Sequence, residues 1–522
     1  MGRQWGPAMR AAEQAGCVVS ASRAGQPEAG SWSCSGVILN RRPGLVLCHG
    51  GILTPFLRAG SGALTGPLQP PRPAELLLLL SCPAFRGHFV RLFGGEEAEQ
   101  WRFANAAPDD EVSEEEEEDQ LRALGWFALL RVRPEMEKEA EERGPVLAVA
   151  PLGDVPKGAP LLACGSPFGA FCPDIFLNTL SRGVLSNSAG PLLLTDARCL
   201  PGTEGGGVFA SRPAGALVAL VAAPLCWKAR EWVGLTLLCA AAPLLSVARA
   251  ALCRLHPDTA ALAALLPPEM GAPWGLPLRY RDPGPPWAAA AVLVECGSVW
   301  GSGVAVAPHL VVTCRHVAPR ETARVLVRST TPKSAIIWGR VMFATQETSP
   351  YDIAVVRLEE DLDGVPVPVP AEHFHEGEAV SVVGFGVFGQ ACGPSVTSGI
   401  LSAVVRVDDT PVMLQTTCAV HGGDPGDMMT KCHVGSWIRR RALVQTLVHP
   451  SIVASNTRDN NTGATYPHLN FSIPITVLQP ALQQYSQTGD LGGFRQLDRA
   501  SEPVRVVWRL QRPPAEALRS KL

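Results

Sequence analysis

The sequence predicts an all-β protein that contains two tandem copies of one fold, as its turn composition, its length and an internal repeat indicate. The 522-residue chain contains 51 Gly and 47 Pro, which separate many short apolar runs. Short strands between frequent turns are typical of β-barrels and β-sandwiches. A chain of this length also exceeds what one hydrophobic core supports, so we expect at least two cores.

A proline-rich stretch divides the chain near its middle. Eight prolines lie between Leu255 and Trp287, a density that interrupts periodic structure and indicates an interdomain linker. We therefore expect four segments along the chain: an N-terminal lobe at 1–254, a linker at 255–286, a C-terminal lobe at 287–484 and a tail at 485–522.

Three apolar motifs occur in the same order on both sides of this linker. SGVIL at 35–39 matches SGVAV at 302–306, FALLRV at 127–132 matches IAVVRL at 353–358, and RGVLS at 182–186 matches SGILS at 398–402. Because the order is the same, we interpret the two lobes as copies of one β fold. An acidic loop at 111–119 interrupts the N-terminal copy and is typical of a solvated loop, with a docking segment as the alternative.

Charge and hydropathy argue against a nucleic-acid or membrane partner. The formal net charge is −3, so we expect no positively charged surface that would bind nucleic acid or anionic lipid. The longest apolar stretch, 233–248, contains Pro243 and is shorter than the roughly 20 residues of a membrane helix. We predict no membrane span there, but a buried strand followed by a turn. Residues 1–16 lack the apolar core of a secretory signal peptide.

The C-terminal lobe carries motifs of known chemistry. GSGV at 301–304, TCRHV at 313–317 and YDIAVV at 351–356 resemble, in this order, the trypsin-like serine proteases, especially the HtrA/Deg group. The resemblance covers about 287–484 and implies that both lobes are trypsin-like double β-barrels. It also implies that His316 is the general base and that Asp352 orients its imidazole. From its position alone, Asp352 could instead be a turn or cap residue before a strand.

The position of the nucleophile departs from the family pattern. After CAVHGG at 418–423 the family continues with one variable residue and then Ser-Gly-Gly-Pro, whereas this chain continues with DPGDM at 424–428, so that Pro425 occupies the serine position. By the resemblance, Gly423 belongs to the oxyanion hole together with the N–H of the nucleophile. Proline has no N–H, so Pro425 removes the nucleophile and one oxyanion donor together.

The atypical sequence extends over 424–451, and its sharp edges indicate an alternative or mispredicted exon. Two residues within it are candidate substitutes for the serine. Ser436 lies late and lacks the trailing glycines, and Cys432 has only the adjacent His433 as a base. We therefore expect neither of them to act as the nucleophile.

The N-terminal lobe is predicted to be a degenerate, noncatalytic copy. Carrying the same motifs onto it places Gly50 or Gly51 at the histidine position, Trp126 at the aspartate position and Glu204 at the serine position. None of these can act together as base, orienting group and nucleophile, so the resemblance implies a scaffold that shapes substrate access or assembly. The alternative is that common strand patterns have been matched by chance.

The last three residues, Ser520, Lys521 and Leu522, form a peroxisomal import signal. They predict localisation in the peroxisomal matrix and a peroxisomal import receptor as a partner. The resemblance and this signal together imply a serine endopeptidase that removes leader peptides from imported matrix proteins and processes enzymes of fatty-acid oxidation, with self-association also considered. The alternative is a catalytically inactive isoform that serves as a binding or regulatory module.

No cofactor or metal is predicted. The sequence contains no phosphate-cradling Gly loop with its charged partner, which argues against an organic cofactor. The 15 cysteines never occur as CxxC, and the pairs Cys48-His49 and Cys432-His433 have no second pair at zinc-ligand spacing. We interpret most cysteines as small core residues of a protein that folds in a reducing compartment.

Overall fold

The computed structural model divides the chain into two compact units, Met1–Asp282 and Pro283–Leu522. The structure describes residues 2–22, 32–56, 74–93, 101–103, 123–132, 147–169, 175–224, 227–228, 231–255, 257–266, 286–329, 334–371, 373–386, 392–420, 436–439, 448–458 and 465–509. The acidic loop predicted at 111–119 and most of the predicted linker lie outside these residues.

The N-terminal unit is built mainly from strands. They are β1 (Gly16–Ala21), β2 (Trp32–Arg41), β3 (Gly44–His49), β4 (Ala74–Ser81), β5 (Trp101–Arg102), β6 (Trp126–Val132), β7 (Pro160–Gly165), β8 (Thr179–Ala189), β9 (Leu192–Thr195), β10 (Gly207–Ala210), β11 (Leu217–Ala223), β12 (Trp227–Lys228), β13 (Glu231–Trp232) and β14 (Thr236–Ala240). Its helices are α1 (Gly2–Ala15), the 3-10 helix Gly50–Phe56, α2 (Pro83–Phe93), α3 (Ala241–Leu255) and α4 (Pro257–Ala263).

These strands form a sheet and a barrel. The order β1-β2-β3-β6-β4 makes an antiparallel sheet, β10-β11-β14-β9-β8-β7 closes into a barrel, and β13-β12-β5 make a small separate sheet. Small and branched side chains, including Leu161, Val208 and Leu238, are buried together in the barrel. Helix α3 packs on β4, β11 and β14, which helps to explain why β11 is buried along its whole length.

The C-terminal unit repeats this combination in the opposite order. Its strands are β15 (Ala291–Cys296), β16 (Val299–Ala307), β17 (Leu310–Thr313), β18 (Arg324–Ser329), β19 (Ala335–Ala344), β20 (Ala354–Leu358), β21 (Ala379–Gly384), β22 (Ser395–Val407), β23 (Thr410–Thr416), β24 (Ser436–Arg439), β25 (Val448–Arg458) and β26 (Thr465–Ile473). β15-β16-β17-β20-β19-β18 form a closed barrel, and β21-β22-β23-β26-β25-β24 form a six-stranded sheet. The predicted all-β fold, with a closed barrel in each lobe, is confirmed.

In each unit, one equivalent hydrogen bond joins the sheet to the barrel. Ser35 on β2 accepts a bond from the backbone N–H of Ser166, just after β7, at 2.7 Å. Ser302 on β16 accepts the equivalent bond from Phe385, just after β21, also at 2.7 Å. Both serines are buried. The two matched motifs, at 35–39 and 302–306, thus have the same structural role in their units.

A glycine of the third repeated motif also has the same role in both units. A Cβ on Gly183 would collide with the backbone nitrogen of Ala197, and a Cβ on Gly399 would lie 2.6 Å from the backbone nitrogen of Cys418. Real Cβ atoms do not approach backbone so closely, so both positions need glycine.

The prediction of a tail from residue 485 onward is wrong for residues 485–509. Helix α5 (Ile475–Thr488) continues past that boundary, and α6 (Gly492–Arg495), the 3-10 helix Gln496–Arg499 and α7 (Glu502–Arg509) follow it. Phe494 and Leu497 are buried in the same core as the barrel of the C-terminal unit. Folded structure therefore covers residues 485–509, while the import signal at 520–522 lies outside the described residues.

Two further local expectations need correction. The apolar stretch 233–248 contains the expected buried strand, β14, but continues into helix α3 instead of a turn, because Pro243 lies in the first helical turn, where proline is tolerated. The predicted linker likewise begins with helix α4, which opens on Pro257. Among the described helices, none is long and apolar enough to cross a membrane.

Candidate active site

Strand pairing in the C-terminal barrel brings His316 and Asp352 together. β17 and β20 are antiparallel neighbours, with Thr313 opposite Ala354. His316 follows the end of β17 and Asp352 precedes the start of β20, so both lie at the same barrel edge. The apolar side chains of both strands, such as Val311, Val312 and Val355, are buried in one core that holds this edge in place.

The two side chains form a short and doubly anchored pair. His316 Nδ1 lies 2.6 Å from Asp352 Oδ2, and the backbone N–H of His316 donates to Asp352 Oδ1 at 3.0 Å. A carboxylate at Nδ1 selects the tautomer with the proton on that nitrogen, which leaves Nε2 as a proton acceptor. The exposed fractions of the two side chains, 17% and 18%, leave the pair partly accessible.

Two neighbours that the sequence analysis did not identify also contact the carboxylate. Burial alone would raise the pKa of Asp352, but hydrogen bonds and the charge of His316, with a further hydrogen bond from the Cys314 thiol, lower it below its ordinary value. Arg315 Nε lies 3.6 Å from Oδ1 and adds a favourable charge. Asp352 is therefore ionised at neutral pH. Cys314 and Arg315 directly precede His316 in the TCRHV motif, and this position in the sequence could have indicated that they lie near the catalytic pair.

Cys314, His316 and Asp352 form the one cluster of possible metal ligands in the part of the chain that the structure describes. Their ligand atoms lie within 4.8 Å of one another. The direct hydrogen bond between His316 and Asp352 uses two of these atoms, and the cationic Arg315 lies against the same carboxylate. The arrangement fits a proton-transfer pair better than a metal centre.

The second half of the lobe is described up to the residues just before the nucleophile position. β22 and β23 lead to Cys418, whose carbonyl accepts from the side-chain amide of Asn470, and Ala419, whose carbonyl accepts from Thr397 Oγ1 at 2.7 Å. Residues 421–435 are not described, so Gly423, Pro425 and Cys432 lie outside the described residues. Ser436 opens β24, where only the backbone is described.

In the N-terminal unit, the corresponding positions meet around His49. A Cβ on Gly50 would lie 2.7 Å from Cβ of Trp126, and one on Gly205 would collide with the backbone nitrogen of His49. Glu204 Oε2 accepts the N–H of Gly202 at 2.8 Å, so this carboxylate supports its own loop. The structure therefore brings the predicted degenerate positions together.

His49 itself is a core residue. It is 6% exposed, its ring packs edge-on against Phe127 with centroids 5.6 Å apart, and Nδ1 accepts the N–H of Gly51 at 3.2 Å. Nε2 forms no hydrogen bond of normal geometry among the described residues, although the carbonyl of Leu124 is near enough to favour protonation slightly. Burial lowers the pKa of His49 to about 4. A neutral imidazole closed off from solvent cannot serve as a base for a substrate.

Comparison with known proteins gives a family match and close relatives. The trypsin-like peptidase domain matches residues 301–426. A Mus musculus peroxisomal leader peptide-processing protease is 71% identical over 583 residues, and a Homo sapiens protein of the same name is 72% identical over 580, in both cases with 100% of each chain covered. A solved structure, HtrA-type protease AlgW with tripeptide, is 21% identical, with 39% of this chain and 62% of that chain covered and a TM-score of 0.28.

The alignments with both relatives are longer than the 522 residues of this chain, so the relatives contain residues that this chain lacks. The trypsin-like domain match ends at residue 426, just inside the segment 424–451.

Proposed function

The chain belongs to the family of peroxisomal leader peptide-processing proteases, which are serine proteases of the trypsin-like type, and we propose that its C-terminal lobe carries their catalytic site, with His316 as general base and Asp352 as its orienting carboxylate. The observation that carries this proposal is the 2.6 Å contact between His316 Nδ1 and Asp352 Oδ2. In amide hydrolysis, Nε2 accepts the proton of the nucleophile and later donates it to the leaving amine, while the carboxylate stabilises the imidazolium.

We further propose that the chain with this sequence lacks the nucleophile. Pro425 at the serine position offers no hydroxyl and no N–H, so Gly423 would contribute to an oxyanion hole that has lost its second donor. The end of the domain match at residue 426 supports this reading. Loss of the serine costs on the order of a millionfold in kcat in subtilisin, a serine protease of unrelated fold that uses the same triad.

The names of the relatives support leader peptides of peroxisomal proteins as the substrate class. We propose that an intact catalytic site on this scaffold removes leader peptides from imported peroxisomal matrix proteins and, as the family resemblance implies, processes fatty-acid oxidation enzymes. The same names support a peroxisomal location, and Ser520, Lys521 and Leu522 suit recognition by an import receptor that delivers the protein to the matrix.

A second candidate function is a catalytically inactive binding or regulatory module. It is favoured by the N-terminal unit, where His49 is buried and Glu204 supports its own loop, and by Pro425 in the C-terminal lobe. In both lobes the serine nucleophile is replaced while the β fold is kept, which suits a scaffold that binds a peptide without cleaving it.

Cleavage of a leader-bearing matrix protein separates the two functions. A grafted chain is made by replacing residues 424–451 with the segment of the Mus musculus relative that aligns there, and N-termini are read by mass spectrometry. The grafted chain should release the leader, whereas the original chain and a grafted His316→Ala variant should not. A grafted chain that binds the substrate but never cleaves it would overturn the protease proposal in favour of the binding module.

A further inference from the structure

The loop that presents Asp352 is supported from outside the trypsin-like barrels. It spans residues 345–352 between β19 and β20, and Thr345 closes it, since its Oγ1 donates to the carbonyl of Tyr351 at 2.7 Å and accepts the N–H of Ile353 at 3.1 Å. This closure fixes both ends of the loop, and between them the N–H of Ser349 donates to the carbonyl of Gln346 at 2.9 Å.

Further partners of the loop come from residues 490–509, which we call the C-terminal clamp. The N–H of Gln346 donates to Asp498 Oδ1 at 2.8 Å, and Ser349 Oγ donates to the carbonyl of Leu497 at 3.0 Å. Both contacts join segments about 150 positions apart in the sequence. Long-range contacts of this kind exist only if the clamp is folded against the loop.

Arg505 ties the clamp and the loop together. Its guanidinium donates to the carbonyl of Thr348 in the loop, to the carbonyl of Asp498 at 2.9 Å and to that of Ala500 at 3.0 Å. A planar guanidinium can serve several carbonyls in a fixed geometry, which an ammonium group cannot reproduce. Arg505 therefore sets the distance between α7 and the loop.

Aromatic contacts anchor the clamp on the barrel. Phe494 is fully buried and stacks on Phe343 of β19 with centroids 5.6 Å apart. Trp508 packs edge-on against Tyr351, the residue before Asp352, with centroids 5.8 Å apart. The Asp352 backbone is thus held through its immediate neighbour.

We propose that the C-terminal clamp is a positioning element for the catalytic pair and that Arg505 is its principal positioning residue. The inference rests on the proposed role of Asp352. Arg505 touches neither substrate nor the reacting atoms, and it acts through the loop on the placement of the carboxylate. A catalytic group must be held within about 0.5 Å of its working position, so loosening this loop weakens the His316–Asp352 pair.

The test measures amide hydrogen exchange in the full-length original chain. The N–H of His316 donates to Asp352 Oδ1, so its exchange reports where the carboxylate lies, and the N–H of Gln346 reports the clamp contact itself. In Arg505→Ala, both amides should exchange about tenfold faster, because the guanidinium contacts that hold the loop against the C-terminal clamp are lost and the loop opens more often. Arg505→Lys should restore part of the protection, and Arg495→Ala, an exposed arginine on α6, is the matched control.

A second variant guards against loss of folding. Asp498→Ala removes the side-chain acceptor of Gln346 and leaves the aromatic anchors in place, and it should accelerate the same two amides while the amides of β17 keep their protection. Unchanged exchange at His316 in both variants would overturn the inference.

The grafted chain separates this inference from the proposed function. If the grafted chain is active, Arg505→Ala should lower kcat about tenfold and leave KM nearly unchanged, as expected for a misplaced catalytic group. If the grafted chain is inert but Arg505→Ala still accelerates amide exchange at His316, the proposed function fails, whereas the inference that the C-terminal clamp positions Asp352 is supported. An active grafted chain with unaltered kcat in Arg505→Ala would refute the clamp alone.

Discussion

Acidification should destabilise the N-terminal unit through His49. The pKa of this buried imidazole is lowered by burial from 6.5 to about 4. Between these values the unfolded chain binds a proton that the folded unit excludes, so the free energy of unfolding falls as pH decreases through this window and levels off below about 4.

The magnitude follows from the two pKa values. A tenfold difference in proton affinity corresponds to about 1.4 kcal/mol, so the full effect approaches about 3 kcal/mol. Between about pH 7 and about pH 5, the expected loss is about 2 kcal/mol. Since a domain is stabilised by only about 5 to 15 kcal/mol, this loss is measurable.

The assay is hydrogen exchange across a urea series, read from peptides of β3 and β6 at both pH values. His49→Gln removes this titrating group and should reduce the pH dependence of the N-terminal unit, whatever its own effect on stability at neutral pH. The contribution of His88, whose pKa is also lowered by burial, remains. His309→Gln, at an exposed histidine of the other unit, is the control and should leave the dependence unchanged. An equal loss of stability on acidification in the original chain and in His49→Gln would refute the reasoning.

Two further predictions concern packing and location. Gly399→Ala should destabilise the C-terminal unit by about 1 to 3 kcal/mol in thermal or urea unfolding, because its Cβ would lie 2.6 Å from the backbone nitrogen of Cys418. Gly87→Ala on α2, where nothing lies within 4 Å of the new Cβ, is the control and should be neutral or slightly stabilising. Equal effects of the two substitutions would contradict the close approach at Gly399. A tagged chain with a free C-terminus should colocalise with a peroxisomal matrix marker and disperse when Leu522 is deleted, and unchanged puncta after deletion would count against the import signal.

The sequence was sufficient for the fold class, which follows from short apolar strands between frequent turns. The pairing of His316 with Asp352 was expected from the resemblance of their motifs to those of trypsin-like proteases. It was insufficient for the C-terminal clamp, since helices of four and eight residues are too short for periodicity to reveal. The run Ser501-Glu502-Pro503 is a helix-start signal that could have indicated α7. Side-chain contacts such as that between Arg505 and Thr348 depend on tertiary packing, which spacing does not encode.

The central claim is that this scaffold retains the base and the orienting carboxylate of a serine protease while this sequence lacks the nucleophile. A fluorophosphonate probe, which labels only activated serines, tests it most directly. The original chain should remain unlabelled, and the grafted chain should be labelled in a manner that His316→Ala abolishes. Labelling of the original chain that depends on His316 would contradict the claim and would direct attention to Ser436.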